Sequence, residues 1–107
     1  MDKAVIDAVS KFKQALLQQG LKVNRVILYG SQATGKAEKH SDIDIVVISD
    51  DFKRMNILER LETIGLATAK AEIMEPIESL GYTEEEFSLK GKGTFIGDEV
   101  KAKGIKI

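Results

Sequence analysis

A chain of 107 residues, 43% apolar and 31% charged, matches one compact domain over 1–107 with a modest core and leaves no room for a second. Sixteen basic residues against seventeen acidic ones give a formal net charge of -1, so no overall field draws in nucleic acid or an anionic membrane, and direct nucleic-acid binding is not expected. Cysteine is absent, which excludes disulfides, thiolate zinc sites and a cysteine nucleophile; with no signal peptide at the start and no apolar run near the ~20 residues of a membrane span, the expectation is a cytoplasmic protein.

From Lys3 to Gln18, the apolar residues Val5, Ile6, Val9, Phe12, Ala15 and Leu16 fall at helical spacing, and Gly20 follows as a C-terminal cap. Lys3, Lys11 and Lys13 belong to its solvated face. Val23 to Tyr29 reads as a strand, interrupted only by Asn24 and Arg25, that enters a Gly30-Ser31 turn. Gly30 to Lys36 matches the G-x-x-x-x-G-K part of a P-loop, but Ala37 stands where a Ser or Thr hydroxyl is needed for magnesium, and that reading fails. The residues still suit phosphate chemistry. Gly30 lets backbone approach a phosphate closely, Ser31 offers a hydroxyl and an N–H, and Gln32 to Lys36 forms a short helix or turn.

The next strand opens on two aspartates. Side chains two residues apart in a strand share a face, so Asp42 and Asp44 stand roughly 7 Å apart along it as a pair of hard oxygen ligands. Asp is a poor strand former, and two of them before Ile45, Val46, Val47 and Ile48 cost stability unless a divalent cation compensates. An exposed strand face that happens to read Asp-Ile-Asp is the bland alternative. Asp50-Asp51 ends the strand and caps a helix with apolar positions Met55, Ile57, Leu58, Leu61, Ile64 and Leu66, running toward Ala71. Thr83 with Glu86 three residues on is a capping box, and Lys90 to Thr94 is a basic surface turn. A last helix carries Phe95, Ile96, Val100 and Ala102 up to Gly104, and Ile105 to Ile107 is a short strand or tail.

Gly30-Ser31, ten intervening residues from Gln32 to Ser41, then Asp42-Ile43-Asp44 and an apolar run resemble the signature of the DNA polymerase β-like nucleotidyltransferase superfamily in its minimal, single-domain form. The resemblance implies an α/β fold with a small mixed β-sheet of three to four strands and helices packed mainly on one face. It implies that Asp42 and Asp44 bind two Mg2+ ions, and that Gly30 and Ser31 hold the β- and γ-phosphates of ATP. Lys36 is a further candidate phosphate contact, beside its ordinary reading as a solvated loop lysine. His40, the only histidine, reads as a loop residue, because magnesium prefers oxygen.

Such relatives carry a third carboxylate on the following strand, and no aspartate occurs between Asp51 and Asp98. Relatives place an acidic residue shortly before Tyr-Thr and an acidic helix start, which here selects Glu78 ahead of Tyr82-Thr83-Glu84, with Glu72 next. The resemblance further implies transfer of AMP from ATP to a hydroxyl acceptor on a HEPN-type helical partner, in an antitoxin setting. A small-molecule acceptor is the competitor, and a non-catalytic nucleotide- or partner-binding module is the alternative from another class.

Overall fold

The computed structural model describes residues 2–38 and 41–107; His40 lies outside them. Helix α1 spans Lys3–Gln18, and its residues Val5, Ala8, Val9, Phe12, Ala15 and Leu16 are buried, the stripe that a 3.6-residue period produces. Asp2 caps it by accepting from the Ala4 N–H at 2.9 Å, and Gly20, at φ 87°, follows its end in the left-handed conformation.

Strand β1 is Arg25–Tyr29, two residues shorter at its start than the apolar pattern predicts. Val23 packs against the core without joining the ladder, which begins where Arg25 faces Ile48. A four-residue helix, α2, Ser31–Thr34, turns the chain, and Gly35 ends it at φ 76°. Strand β2, Ile43–Ile48, returns antiparallel to β1; β3, Ile77–Tyr82, runs parallel to β2; and β4, Ile105–Lys106, pairs antiparallel with β1. The sheet is thus mixed and four-stranded, ordered β3-β2-β1-β4.

The central strands are buried on both faces, which explains why they read as continuous apolar runs. Val26, Leu28, Ile43, Ile45 and Val47 share a core with the long helices α1 and α3, Ile57–Lys70, and with Phe52. Ile27, Tyr29, Val46 and Ile48 point to the other face, which only shorter segments cover: Phe87 from α4, Glu84–Ser88, and Ile96 and Val100 from a π-type helix, Ile96–Lys101. By the two-residue alternation Asp44 and Glu78 belong to this lightly covered face.

Two expectations about the middle of the chain are corrected. Ser49, not Asp50 or Asp51, caps the segment after β2, which is a 3-10 turn, Asp50–Arg54; α3, Ile57–Lys70, starts later on an Asn56–Glu59 capping box. Asp51 instead accepts from the Lys22 N–H at 2.7 Å, tying the turn to the segment before β1. The second correction concerns the apolar positions of α3. Ile64 and Ala67 are buried, but Ile57, Leu58, Leu61 and Leu66 are at least half exposed, the first three beside the β3 edge of the sheet. The last helix is likewise shorter than expected and of π type: Ala102 is its C-cap, donating to the Gly97 carbonyl five residues back.

Candidate active site

Register brings the acidic residues together. Glu78 is the Cα partner of Asp44 across the parallel β2–β3 pair, and Tyr29 is its partner across the antiparallel β1–β2 pair. Strands lie about 4.8 Å apart in the hydrogen-bonding direction, so Asp44 sits between a second carboxylate and a phenol. Asp42 lies one residue before β2, exposed, and is not the strand residue that the alternation argument assumes. It remains close enough for its charge to act on Asp44.

Electrostatics mark Asp44 as the centre. Burial, then the charges of Glu78 and Asp42, push its carboxyl above the usual carboxylate range. No basic side chain is among the causes. Tyr29 responds to the same field: burial first, then Asp44 and Glu78, push its hydroxyl up to about 12, so the phenol stays protonated as a hydrogen-bond donor.

Gly30 completes the arrangement. It has φ 73° and ψ -155°, a region that is nearly exclusive to glycine, and a Cβ built there would lie 2.5 Å from Asp44 Oδ2. The glycine therefore does two things: it allows the turn from β1 into α2, and it leaves space for the Asp44 carboxylate against the backbone. Ser31 follows as the first residue of α2. The loop after α2 folds back, with the Ser41 hydroxyl accepting from the Glu38 N–H at 2.8 Å and Gln32 Nε2 donating to the Ser41 carbonyl at 3.3 Å. Lys36 is exposed in that loop.

The alternative candidate Glu72, and Glu75 beyond it, are placed elsewhere. Glu72, exposed at φ 51° just past the C-cap of α3, belongs to the turn that ends the helix, and Glu75 precedes Pro76 ahead of β3. The donor set suits a hard divalent cation, since Asp44 and Glu78 present adjacent carboxylate oxygens whose repulsion with Asp42 a cation would relieve. Among the described residues, however, no three His, Asp or Glu side chains close on one point as a ready cage. Two side chains beside this cluster carried no functional signal in the pattern. Tyr29 reads as the end of a strand, though its position before Gly30 hints at its place; Phe95 reads as a helix residue, and only the fold sets its ring against Tyr29.

A model of the nucleotidyltransferase domain matches residues 9–102, which include every candidate residue of the site. The chain belongs to this nucleotidyltransferase family. No curated protein matches the sequence. Among solved structures, this nucleotidyltransferase is similar to a candidate nucleotidyltransferase from Sulfolobus solfataricus, with a TM-score of 0.58 and 20% identity over 99% of this chain and 87% of that one. It is also similar to a chain of a toxin-antitoxin structure with AMP-PNP, with a TM-score of 0.54 and 20% identity over 91% of this chain and 69% of that one. Both likenesses are of fold: a mixed sheet with helices, as the signature implies. No helix among the described residues is long and apolar enough to cross a membrane.

Proposed function

We propose that this nucleotidyltransferase moves AMP from ATP onto a hydroxyl of a HEPN-type helical partner in the cytoplasm, with two Mg2+ ions held by Asp42, Asp44 and Glu78. The observation that carries the reading is Asp44: a carboxylate flanked by Glu78 and Asp42, with no basic side chain among the described residues lowering its pKa, and pressed against a glycine turn. Solvated side chains avoid such a position, and a divalent ion explains it. Mg2+, when bound, supplies neutralisation of the triphosphate and of the charge that develops at the α-phosphorus.

The chain's own residues do the rest. Gly30 and Ser31 hold the β- and γ-phosphates through backbone N–H groups and the Ser31 hydroxyl, and Lys36 adds a positive charge from the neighbouring loop. Glu78, on the exposed side of the pair, orients the acceptor hydroxyl. The acceptor oxygen bonds to the α-phosphorus, the bond from that phosphorus to the bridging oxygen breaks, and pyrophosphate leaves; the acceptor proton passes to a carboxylate or to water.

Two observations support a protein acceptor. The toxin-antitoxin relative was crystallised with a nucleotide analogue. Here Leu58, Leu61 and Ile57 lie exposed beside a groove of about 770 Å³ at the β3 edge, the kind of apolar surface that a partner protein covers. Incubation with ATP labelled at the α-phosphate, Mg2+ and a co-expressed partner tests the reading: label on the partner together with released pyrophosphate supports it, and transfer from the γ-phosphate alone contradicts it. The carboxylates that do not close on one point favour a second reading, a non-catalytic nucleotide- or partner-binding antitoxin module. Tight ATP binding with no transfer from any label position selects that one.

A further inference from the structure

The proposed site accounts for the phosphates of a nucleotide and leaves its base without a partner. The aromatic residues nearest the carboxylates supply one. Of the four phenylalanines, Phe12, Phe52 and Phe87 are buried in the two cores, whereas Phe95 is 56% exposed. Its ring meets that of Tyr29 edge to face, with centroids 5.7 Å apart and planes at 83°. Tyr29 in turn faces Asp44 across the strands and directly precedes Gly30. The Phe95 ring is thus set against Tyr29 in the wall of the acidic site while more than half of the residue stays open to solvent.

The segment that presents the ring is pinned. Thr94 Oγ1 donates to the Gly91 carbonyl at 2.6 Å and accepts from the Gly97 N–H at 3.0 Å. The Gly93 N–H donates to Asp98 Oδ1, also at 3.0 Å. An exposed aromatic ring held in one place can receive a flat ligand without first being ordered.

We propose that Phe95, backed by Tyr29, is the platform on which the nucleobase of the bound triphosphate stacks. The proposal rests on the reading of Asp42, Asp44, Glu78 and Gly30-Ser31 as the triphosphate site. Stacking needs only a π face, so the platform accepts adenine and guanine alike and discriminates by ring size rather than by hydrogen-bonding pattern. Losing the ring lowers nucleotide affinity by about tenfold or more.

Calorimetry in Mg2+ with two probes isolates this contribution: ATP, and inorganic tripolyphosphate, which carries the same phosphates and no base. Phe95→Ala is expected to weaken ATP by about tenfold and leave tripolyphosphate unchanged, with Phe95→Trp restoring ATP to wild-type affinity or better. Equal losses for both probes would make Phe95 a packing residue for the Tyr29 wall, and no loss for either would leave the base elsewhere; both results overturn the proposal. A wild-type protein that binds neither probe overturns the triphosphate site itself, a failure distinct from either of these.

Discussion

Glu86 and Asp44 are two partly buried carboxylates whose surroundings are reversed. Glu86 meets Arg60 in a bidentate pair at 2.6 and 3.0 Å and the Thr83 N–H at 2.9 Å, and these partners, Arg60 first, hold its carboxyl below the usual range. Arg60 also donates to the carbonyls of Phe52, Met55 and Gly81 and lies over the Phe52 ring, so one guanidinium joins the 3-10 turn, α3, β3 and α4. Arg60 and Glu86 have thus found each other inside the chain. Among the described residues Asp44 has the charges of Glu78 and Asp42 beside it, and its carboxyl is pushed up instead of down. A carboxylate placed for stability is neutralised by the fold; one left against its own kind awaits something from outside.

Substitutions separate the two regions sharply. The largest effect expected is on transfer: Asp44→Asn removes a proposed ion ligand and should reduce nucleotidyl transfer by on the order of 100-fold or more, read by α-phosphate label on the partner. Arg60→Ala should leave Mg2+-dependent ATP affinity within about twofold and lower stability by roughly 1–3 kcal/mol in urea unfolding, since Glu86 and three carbonyls lose a charged donor. If the two variants exchanged these phenotypes, the contrast would be wrong.

Gly30→Ala should join the two kinds of damage. The added Cβ meets Asp44 Oδ2 and forces a non-glycine residue into the φ 73° turn, at about 1–3 kcal/mol in stability, and the displaced carboxylate should weaken Mg2+-dependent ATP binding as well. Stability lost with ATP binding untouched would show that Gly30 serves the turn alone. Glu78→Gln should lower transfer about tenfold more than Glu72→Gln or Glu75→Gln, because only Glu78 is registered opposite Asp44. Equal activity of the three variants would remove Glu78 from the site.

Much of this contrast was legible in the sequence, and the parts that were not share a cause. The bounds of α1, the Gly30-Ser31 turn, the paired aspartates and the Thr83–Glu86 capping box are local, set by periodicity and by residues a few positions apart. The signature residues chose Glu78, but its neighbour Asp44 emerges only from the parallel β2–β3 register, which no local pattern encodes. The same limit hid the exposure of Leu58 and Leu61, since helical spacing identifies an apolar face without saying whether that face meets the sheet or extends past its edge. Asp50-Asp51 drew the helix start too early because Asp is a good cap in either place; the chain used Ser49 for the 3-10 turn and Asn56 for α3.

A smaller effect concerns pH. Asp44 titrates above its ordinary value in the metal-free fold, so folding favours its protonated form, and wild-type stability gains as pH falls through that raised pKa and is lost as pH rises. The advantage of Asp44→Asn over wild type, measured without metal, should therefore be greatest near neutral pH and vanish in acid. An advantage constant with pH would assign the gain to something other than charge.

If the charge of Asp44 is kept for a cation, thermal unfolding with and without Mg2+ and ATP will show it. Without metal, Asp44→Asn should melt no lower than wild type, because one of three crowded carboxylates has been neutralised. With Mg2+ and ATP, wild type should gain several degrees and Asp44→Asn almost none. A variant that unfolds without metal, or that gains as much as wild type when both ligands are added, would make the Asp44 cluster structural and contradict the account.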